Sequence, residues 1–458
     1  MYVEDTIVAP ATAPGTGAVA IVRISGPQAF GILDSVFKPL RCAALPPWTM
    51  RLGDVTDPAT GTRIDRAMAM KMPAPKSLTG EDVAEIHCHG GRYLVHRIVA
   101  IVAACGARMA EAGEFSRRAF LNGRIDLAEA EAVADLIEAR SEGALAQALA
   151  QLSGALSERV VGLRSQVIAI AAQLEAEIDF SDEDIRLPSR RDLAGAIERL
   201  LGEVTLLHGT FARGRLMREG VRAAIIGPPN AGKSSVLNLL LGADRAIVTP
   251  VPGTTRDVIE EATAVGPHSL VLQDTAGVRD STDTVERIGI ERTRACAAGA
   301  DLLIAVFDAS RALGAEDAEA LRIIDGRAGV AILNKRDQPA RTDAAALRTR
   351  GVAMPVVSLC AIDPADAPAL RRELERAIDG LAGAAPEAIS ISRERHRDAL
   401  ERTAAALKQA RAAAIAPMPP EIVAVDIAGA AEALGQITGA VTGEDVLDAI
   451  FREFCIGK

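Results

Sequence analysis

The chain has 458 residues, 49% hydrophobic and 24% charged, which suits a globular protein of roughly two to four domains. A formal net charge of −10 excludes a generally basic nucleic-acid binder, though not a local basic patch. The six cysteines (42, 88, 105, 296, 360, 455) show no C-x-x-C spacing and read as reduced thiols. With an acidic start and no run of about 18 apolar residues, the expectation is a soluble cytoplasmic protein without a membrane segment.

In chain order, residues 1–120 alternate short apolar runs with Gly/Pro turns. Val19–Ile24 and Val83–His89 read as strands, and Arg92–Cys105 has helical periodicity ending at Gly106, so this is a mixed α+β domain. From about Asp126 long Ala-rich amphipathic stretches run to roughly Phe180, and another occupies Arg191–Arg218; these predict a central helical bundle. Residues 221–380 alternate strand and helix signals, with strands at Ala223–Ile226, Leu270–Gln273, Leu302–Phe307, Val330–Leu333 and Pro355–Val357, which predicts a parallel α/β sheet. Helical character returns in Arg393–Ala414 and Val423–Phe454. Helix before and after implies an α/β unit inserted into one helical domain.

The inserted unit carries the chemistry. Gly227-Pro-Pro-Asn-Ala-Gly-Lys-Ser234 follows an apolar run and leads into a helical segment, the strand–loop–helix context of a phosphate-binding loop. Its backbone N–H groups close on the β-phosphate, Lys233 neutralises the β/γ oxygens, and Ser234 offers a hydroxyl to Mg²⁺. Val251-Pro-Gly-Thr-Thr-Arg-Asp257 stands where a switch reaches the γ-phosphate, and one of its threonines can ligate Mg²⁺. In Asp274-Thr275-Ala276-Gly277, Asp274 holds Mg²⁺ through water and Gly277 offers an N–H. Asn334-Lys335-Arg336-Asp337 ends another strand, and Asp337 can accept from guanine N1 and N2, which adenine cannot match. Each signal is weak alone. Together, in this order, they define a GTPase.

Val278 stands where Ras-like enzymes have a water-orienting Gln, so catalysis must draw on something else. Asn230 is the residue type of GTPases that recruit K⁺ beside the phosphates, and such an ion replaces an arginine finger, worth roughly 10³–10⁵ in rate. Carbonyls around Thr249, Val251 and Thr254 would complete its coordination. Glu286 is either a water-positioning group or the solvated start of a helix.

Other groups have plainer readings. On a strand His87 and His89 share a face and Cys88 points away, so the three cannot converge on a metal. Cys455, near the terminus with no neighbouring His, is open to an active-site role or to packing. Arg117-Arg118 and Arg213-Gly214-Arg215 could meet nucleic-acid phosphates, but such short clusters read as solvated faces.

Asp5-Thr-Ile-Val-Ala9, Leu78-Thr-Gly-Glu-Asp82, His89-Gly-Gly91, Gly113–Gly123, the nucleotide motifs and terminal Cys455-Ile-Gly-Lys458 together resemble the tRNA modification GTPase MnmE (TrmE) family over the whole chain. The resemblance implies a multidomain α/β plus α protein. Its parts are an N-terminal α+β folate-binding and dimerisation domain (1–121), a central helical bundle domain (122–217 and 382–458), and an inserted Ras-like P-loop GTPase domain with a parallel sheet (218–381). It implies a homodimer that acts with the FAD-dependent partner MnmG as a heterotetramer. The pair adds an aminomethyl or carboxymethylaminomethyl group at C5 of the wobble uridine of certain tRNAs, from a 5-formyl-tetrahydrofolate-type donor. The competing reading is an Era-like regulatory switch in ribosome or RNA assembly.

Residue by residue, the resemblance implies K⁺ ligands at Asn230, Thr249, Val251 and Thr254, and Mg²⁺ ligands at Ser234 and Thr255. It implies GTP contacts from Asn230, Ala231, Gly232, Lys233, Ser234, Ser235, Thr249, Thr254, Thr255, Asp274, Thr275, Ala276, Gly277, Asn334, Lys335, Asp337 and Ser358. The implied catalytic set is Glu286, Lys233 and Cys455, and the implied folate contacts are Arg23, Glu81, Arg124 and Lys458. Two departures stand out. Arg124 replaces a lysine of some members, and Ser358-Leu359-Cys360 replaces a Ser-Ala-Lys or Ser-Ala-Arg that packs on guanine, which lowers the expected base affinity.

Overall fold

The computed structural model describes residues 5–40, 44–179, 189–242, 260–273, 294–382, 389–416, 418–452, 454 and 457–458. The chain opens with β1 (Ile7–Pro10), β2 (Gly17–Ser25), α1 (Ala29–Val36), β3 (Phe37–Pro39), β4 (Arg51–Thr56), β5 (Arg63–Met72), β6 (Val83–Gly90), α2 (Arg92–Ala104) and β7 (Arg108–Met109). Four helical segments lead out of this region: α3 (Glu114–Leu121), α4 (Leu127–Glu138), α5 (Glu142–Leu152) and α6 (Ala155–Asp179). Next come α7 (Arg190–Gly209) and α8 (Phe211–Glu219).

The α/β region follows with β8 (Val221–Ile226), α9 (Lys233–Leu241), β9 (Glu260–Val265), β10 (His268–Gln273), α10 (294–299), β11 (Leu302–Asp308), α11 (Ala318–Ile323), β12 (Gly329–Asn334), α12 (Ala344–Thr349), β13 (Val356–Ser358) and α13 (Ala367–Ala382). The chain closes with α14 (Glu394–Ile415), α15 (Pro420–Thr438) and α16 (Glu444–Arg452).

These elements form two compact units, residues 1–134 with 157–164 and 432–458, and residues 135–156 with 165–431. In the first, a seven-stranded sheet runs β3-β4-β5-β6-β2-β1-β7, antiparallel except for β1 beside β7. Alternate residues Val22 and Ile24 of β2 and Ala84 and Ile86 of β6 turn into a core shared with Ile32 and Leu33 of α1 and Ile98, Ile101 and Val102 of α2. A second cluster joins Leu127 and Ala130 of α4 to Leu447, Ile450 and Phe451 of α16.

In the second unit the sheet runs β13-β12-β11-β8-β10-β9. Its central strands β8, β11 and β12 are buried along nearly their whole length, as expected for strands covered on both faces. One element departs from the expected parallel sheet. β9, absent from the sequence reading, pairs antiparallel with β10 as an edge hairpin. Its EEATAV segment holds charged and small residues and carries little of the apolar signal of a central strand.

The helical stretches are also more broken than their periodicity predicts. Ser141 accepts from Ala144 N–H and starts α5 afresh, and the α7–α8 run is interrupted at Thr210, whose hydroxyl donates to Leu207 O at 2.7 Å. The Val423–Phe454 stretch likewise divides at 439–443. α7 and α14 pack lengthwise, the first through Leu193, Ile197, Leu200, Val204 and Leu207, the second through Leu400, Thr403, Leu407 and Ala410. Among the described residues no helix is long and apolar enough to cross a membrane.

Candidate functional site

The centre of the α/β sheet builds the site. Buried β8 ends at Ile226, and the chain turns through 227–232 before α9 begins at Lys233. Gly232 has φ 98°, and a Cβ there would lie 2.1 Å from Asn334 Nδ2, so only glycine fits between the loop and its neighbour. Asn230 also takes a positive φ, 60°, which Asn tolerates better than most residues. Lys233 Nζ folds over the loop and donates to the carbonyls of Gly227 (3.0 Å) and Pro228 (2.9 Å).

At the other end, Asn334 closes β12 and is 3% exposed. Its Nδ2 donates to Ala231 O (2.8 Å) and its Oδ1 accepts from Ala361 N–H (2.9 Å). One side chain thus fixes the phosphate loop against the turn after β13. Lys335 Nζ pairs with Asp308 at 2.6 Å. Burial works to raise the Asp308 carboxyl, but Lys335 and the Ser310 hydroxyl and N–H outweigh it and hold it below its ordinary value.

Between these ends lies a cleft of about 520 Å³. Of the expected nucleotide contacts, Asn230, Gly232, Lys233, Ser234, Ser235, Asn334, Lys335 and Asp337 all line it. Ala231 contributes its carbonyl to Asn334. Ser358 does not line it, which corrects the expected register. It is the last residue of β13, paired with Leu333, and the chain needs two more residues to turn into the cleft. Cys360, Ala361 and Ile362 occupy that wall instead, with Gln338. The Cys360 thiol faces Asp337, whose carboxylate, with burial second, raises its pKa. Cys360 N–H is anchored on Asp366 (2.7 Å), which also holds Arg336 (2.9 Å). Thr249, Val251, Thr254, Thr255, Asp274, Thr275, Ala276, Gly277, Val278, Glu286 and Cys455 lie outside the described residues.

The expected folate contacts gather in the first unit. Arg23 on β2 pairs with Glu85 (2.9 Å) and donates to Gly457 O (3.4 Å), and Glu81 accepts from Ser25 Oγ (2.6 Å) and from Arg118 (3.2 Å). Arg124 is exposed, its stem beside Gly80, and Lys458 O accepts from Phe115 N–H. Sequence reasoning missed the hub of this cluster. Arg118, grouped there with solvated basic residues, is 3% exposed and pairs with Asp5, Glu81 and Glu114. Glu114 stands one helical turn before it, but the two partners that complete the cluster, Asp5 and Glu81, are remote in sequence and leave no local signature. Its companion Arg117 pairs with Asp448, and Arg215 with Asp301, so neither is an unpaired surface cation.

On β6, His87 bonds Glu85 (3.0 Å) and His89 bonds Asp65 (2.8 Å), while Cys88 turns into the core. Burial, then Asp65, pushes the Cys88 thiol up to about 11.

A mostly parallel α/β sheet that ends one strand in a lysine-bearing phosphate loop, and another in an Asn-Lys-x-Asp turn on the same cleft, defines a P-loop GTP-binding domain. Residues 127–455 match the family model for the MnmE helical domain, and residues 6–124 that for the GTP-binding protein TrmE N-terminus. The tRNA modification GTPase MnmE of Heliobacterium modesticaldum is 44% identical over all of both chains, and that of Symbiobacterium thermophilum is 43% identical over 99% of this chain and 100% of its own. A GTP-binding protein from Sulfolobus solfataricus, solved with GDP, aligns with 48% of this chain and 67% of its own at 17% identity and a TM-score of 0.28. The chain belongs to the tRNA modification GTPase MnmE family.

Proposed function

We propose that this protein hydrolyses GTP with K⁺ and Mg²⁺ and, with an FAD-dependent MnmG partner, modifies C5 of the wobble uridine of tRNA from a folate one-carbon donor. The observation that carries the nucleotide half is the single cleft with Lys233 at one end and Asp337 at the other, braced by Asn334. Lys233 Nζ, which donates to the carbonyls of Gly227 and Pro228, would turn to β- and γ-phosphate oxygens, which accept stronger, charge-assisted hydrogen bonds. Asp337 receives guanine N1 and N2, and the thiol of Cys360 yields that carboxylate to the base.

The donor set suits the two cations in part: Ser234 offers a hydroxyl and Asn230 an amide oxygen at the mouth of the cleft. Thr255 would complete the Mg²⁺ ligands, and Thr249, Val251 and Thr254 those of K⁺. When bound, the cations supply the positive charge that offsets negative charge on the transferring phosphoryl group. Glu286 positions water, and Cys455 serves the one-carbon chemistry.

The folate reading draws support from Glu81 and Arg124 flanking Gly80, a carboxylate and a cation of the kinds that such a donor needs. A homodimer is supported by the cross-strand pair Leu52 and Met68, which leaves apolar side chains 48% and 41% exposed on the sheet. Two measurements test the whole. GTP turnover equal in Na⁺ and K⁺ removes the cation mechanism. Unaltered wobble uridine in tRNA nucleosides from a deletion strain removes the tRNA assignment and leaves the regulatory switch.

A further inference from the structure

One face of α5 contacts three parts of the second unit that the nucleotide chemistry does not use. Gly143, Gln147 and Gln151 recur every four residues and so share that face. Gly143 N–H donates to Pro267 O (2.9 Å) at the tip of the β9–β10 hairpin. Gln147 lies beside Gly214 of α8, the helix through which the chain enters the α/β region, and Gln151 Nε2 donates to Ser390 O (3.0 Å), where it leaves. The first contact is the tightest. A Cβ on Gly143 would lie 2.6 Å from Pro267 O and 2.7 Å from Met217 Sδ.

The hairpin is a stiff link. It pairs from Val265↔His268 to Glu260↔Gln273, and a one-residue slip would turn every side chain to the wrong face, so it moves as a body. α13 holds its side: Arg371 donates to Ala264 O (3.1 Å), and His268 Nε2 bonds Asp379 (2.9 Å). At the end away from α5, β9 follows the 251–257 motif, and Gln273 immediately precedes Asp274. Two buried polar groups beside this link lack partners, His268 Nδ1 and the side-chain amide of Gln147. Unsatisfied buried groups disfavour this arrangement and make a second one, in which they find partners, energetically accessible.

We propose that the β9–β10 hairpin carries the state of the nucleotide to α5, and that the Gly143–Pro267 contact is where α5 registers it. The physical warrant is a rigid element that touches α5 at one end and at the other adjoins both motifs in sequence. The inference rests on the reading that 251–257 and 274–277 sense the γ-phosphate.

The test is backbone amide exchange of the full chain in K⁺, with saturating GDP and then with a non-hydrolysable GTP analogue. Exchange at residues 142–152, Gly143 above all, is expected to differ by about tenfold or more between the two states. Gly143→Val is expected to abolish that difference while keeping binding of both nucleotides. Asp379→Ala, which removes the partner of His268 without touching α5, is expected to reduce it. Identical α5 exchange with both nucleotides demonstrably bound overturns the inference alone. Failure of the analogue to bind overturns the nucleotide reading and the inference with it. Should Gly143→Val unfold α5, the wild-type comparison and Asp379→Ala still decide.

Discussion

Two charged clusters in this protein use similar residues in opposite ways. Around Arg118 in the first unit, opposite charges are paired inside the protein: Arg118 meets Asp5, Glu81 and Glu114, Arg108 meets Asp5 and Glu114, and Arg23 meets Glu85. In the nucleotide cleft the key cation, Lys233, bonds the neutral carbonyls of its own loop, and Asp337 is exposed. Ion pairs between side chains fix a geometry, whereas charges that line a cleft can be offered strong partners by a ligand. Mutation should therefore act on stability in one cluster and on binding or rate in the other.

The largest expected effect is on stability. Arg118→Ala takes the buried guanidinium from Asp5, Glu81 and Glu114, of which Asp5 and Glu114 keep Arg108, and breaking a buried pair in this way costs about 3–5 kcal/mol. Calorimetry should show a much earlier transition, while nucleotide affinity of the protein still folded stays unchanged. Comparable losses of stability and of nucleotide affinity would erase the contrast between the two clusters. Next, Lys233→Ala should leave the melting temperature nearly unchanged and lower GTP turnover by roughly 10²–10³ or more, the scale for removing one donor to a developing anion. Smaller again, Asp337→Ala should weaken GDP binding by about 1.5–3 kcal/mol through loss of charge-assisted bonds to the base. Loss of preference for guanine over hypoxanthine, which lacks the exocyclic amine, should accompany it.

How much of this was legible in the residues differs between the same two regions. The phosphate loop and Asn334–Asp337 announce themselves because backbone chemistry demands particular residues at fixed spacing: Gly232 has no room for a Cβ, and Asn334 must reach two backbone groups at once. The buried strands β8, β11 and β12 were visible as continuous apolar runs for the same local reason. Ser358 was expected in the cleft because Ser358-Leu359-Cys360 was set against the Ser-Ala-Lys of the family, while the register of the following turn depends on the Asp366 anchor, six residues beyond Cys360. β9 carried little apolar signal, and the helix breaks at Ser141 and Thr210 turn on single hydroxyls bonding to backbone. Of the Arg118 hub only the i,i+4 pair with Glu114 on α3 was legible; Asp5 and Glu81 are remote in sequence, and only the fold brings them to the guanidinium.

The finest test of the comparison is the pH dependence of stability. Burial raises the Asp5 and Glu114 carboxyls, but Arg108 and Arg118 outweigh it at Asp5, and Arg108, the Glu111 N–H and Arg118 at Glu114, so both lie below their ordinary values in the folded chain. A carboxyl depressed on folding adds stability that is fully present above its unfolded pKa, about 4. That contribution is lost as pH falls below about 4 toward the folded values. The urea midpoint of the first unit should therefore be flat with respect to these two groups from pH 7 to about 5, and fall steeply below about 4. In Arg118→Met the side chain keeps an apolar stem but offers no charge, so the shift of Glu114 shrinks and the acid limb becomes shallower. An acid limb of unchanged slope in that variant would mean that Arg108, with the Glu111 N–H at Glu114, sets both carboxyls, and that the buried guanidinium organises the cluster without governing its ionisation.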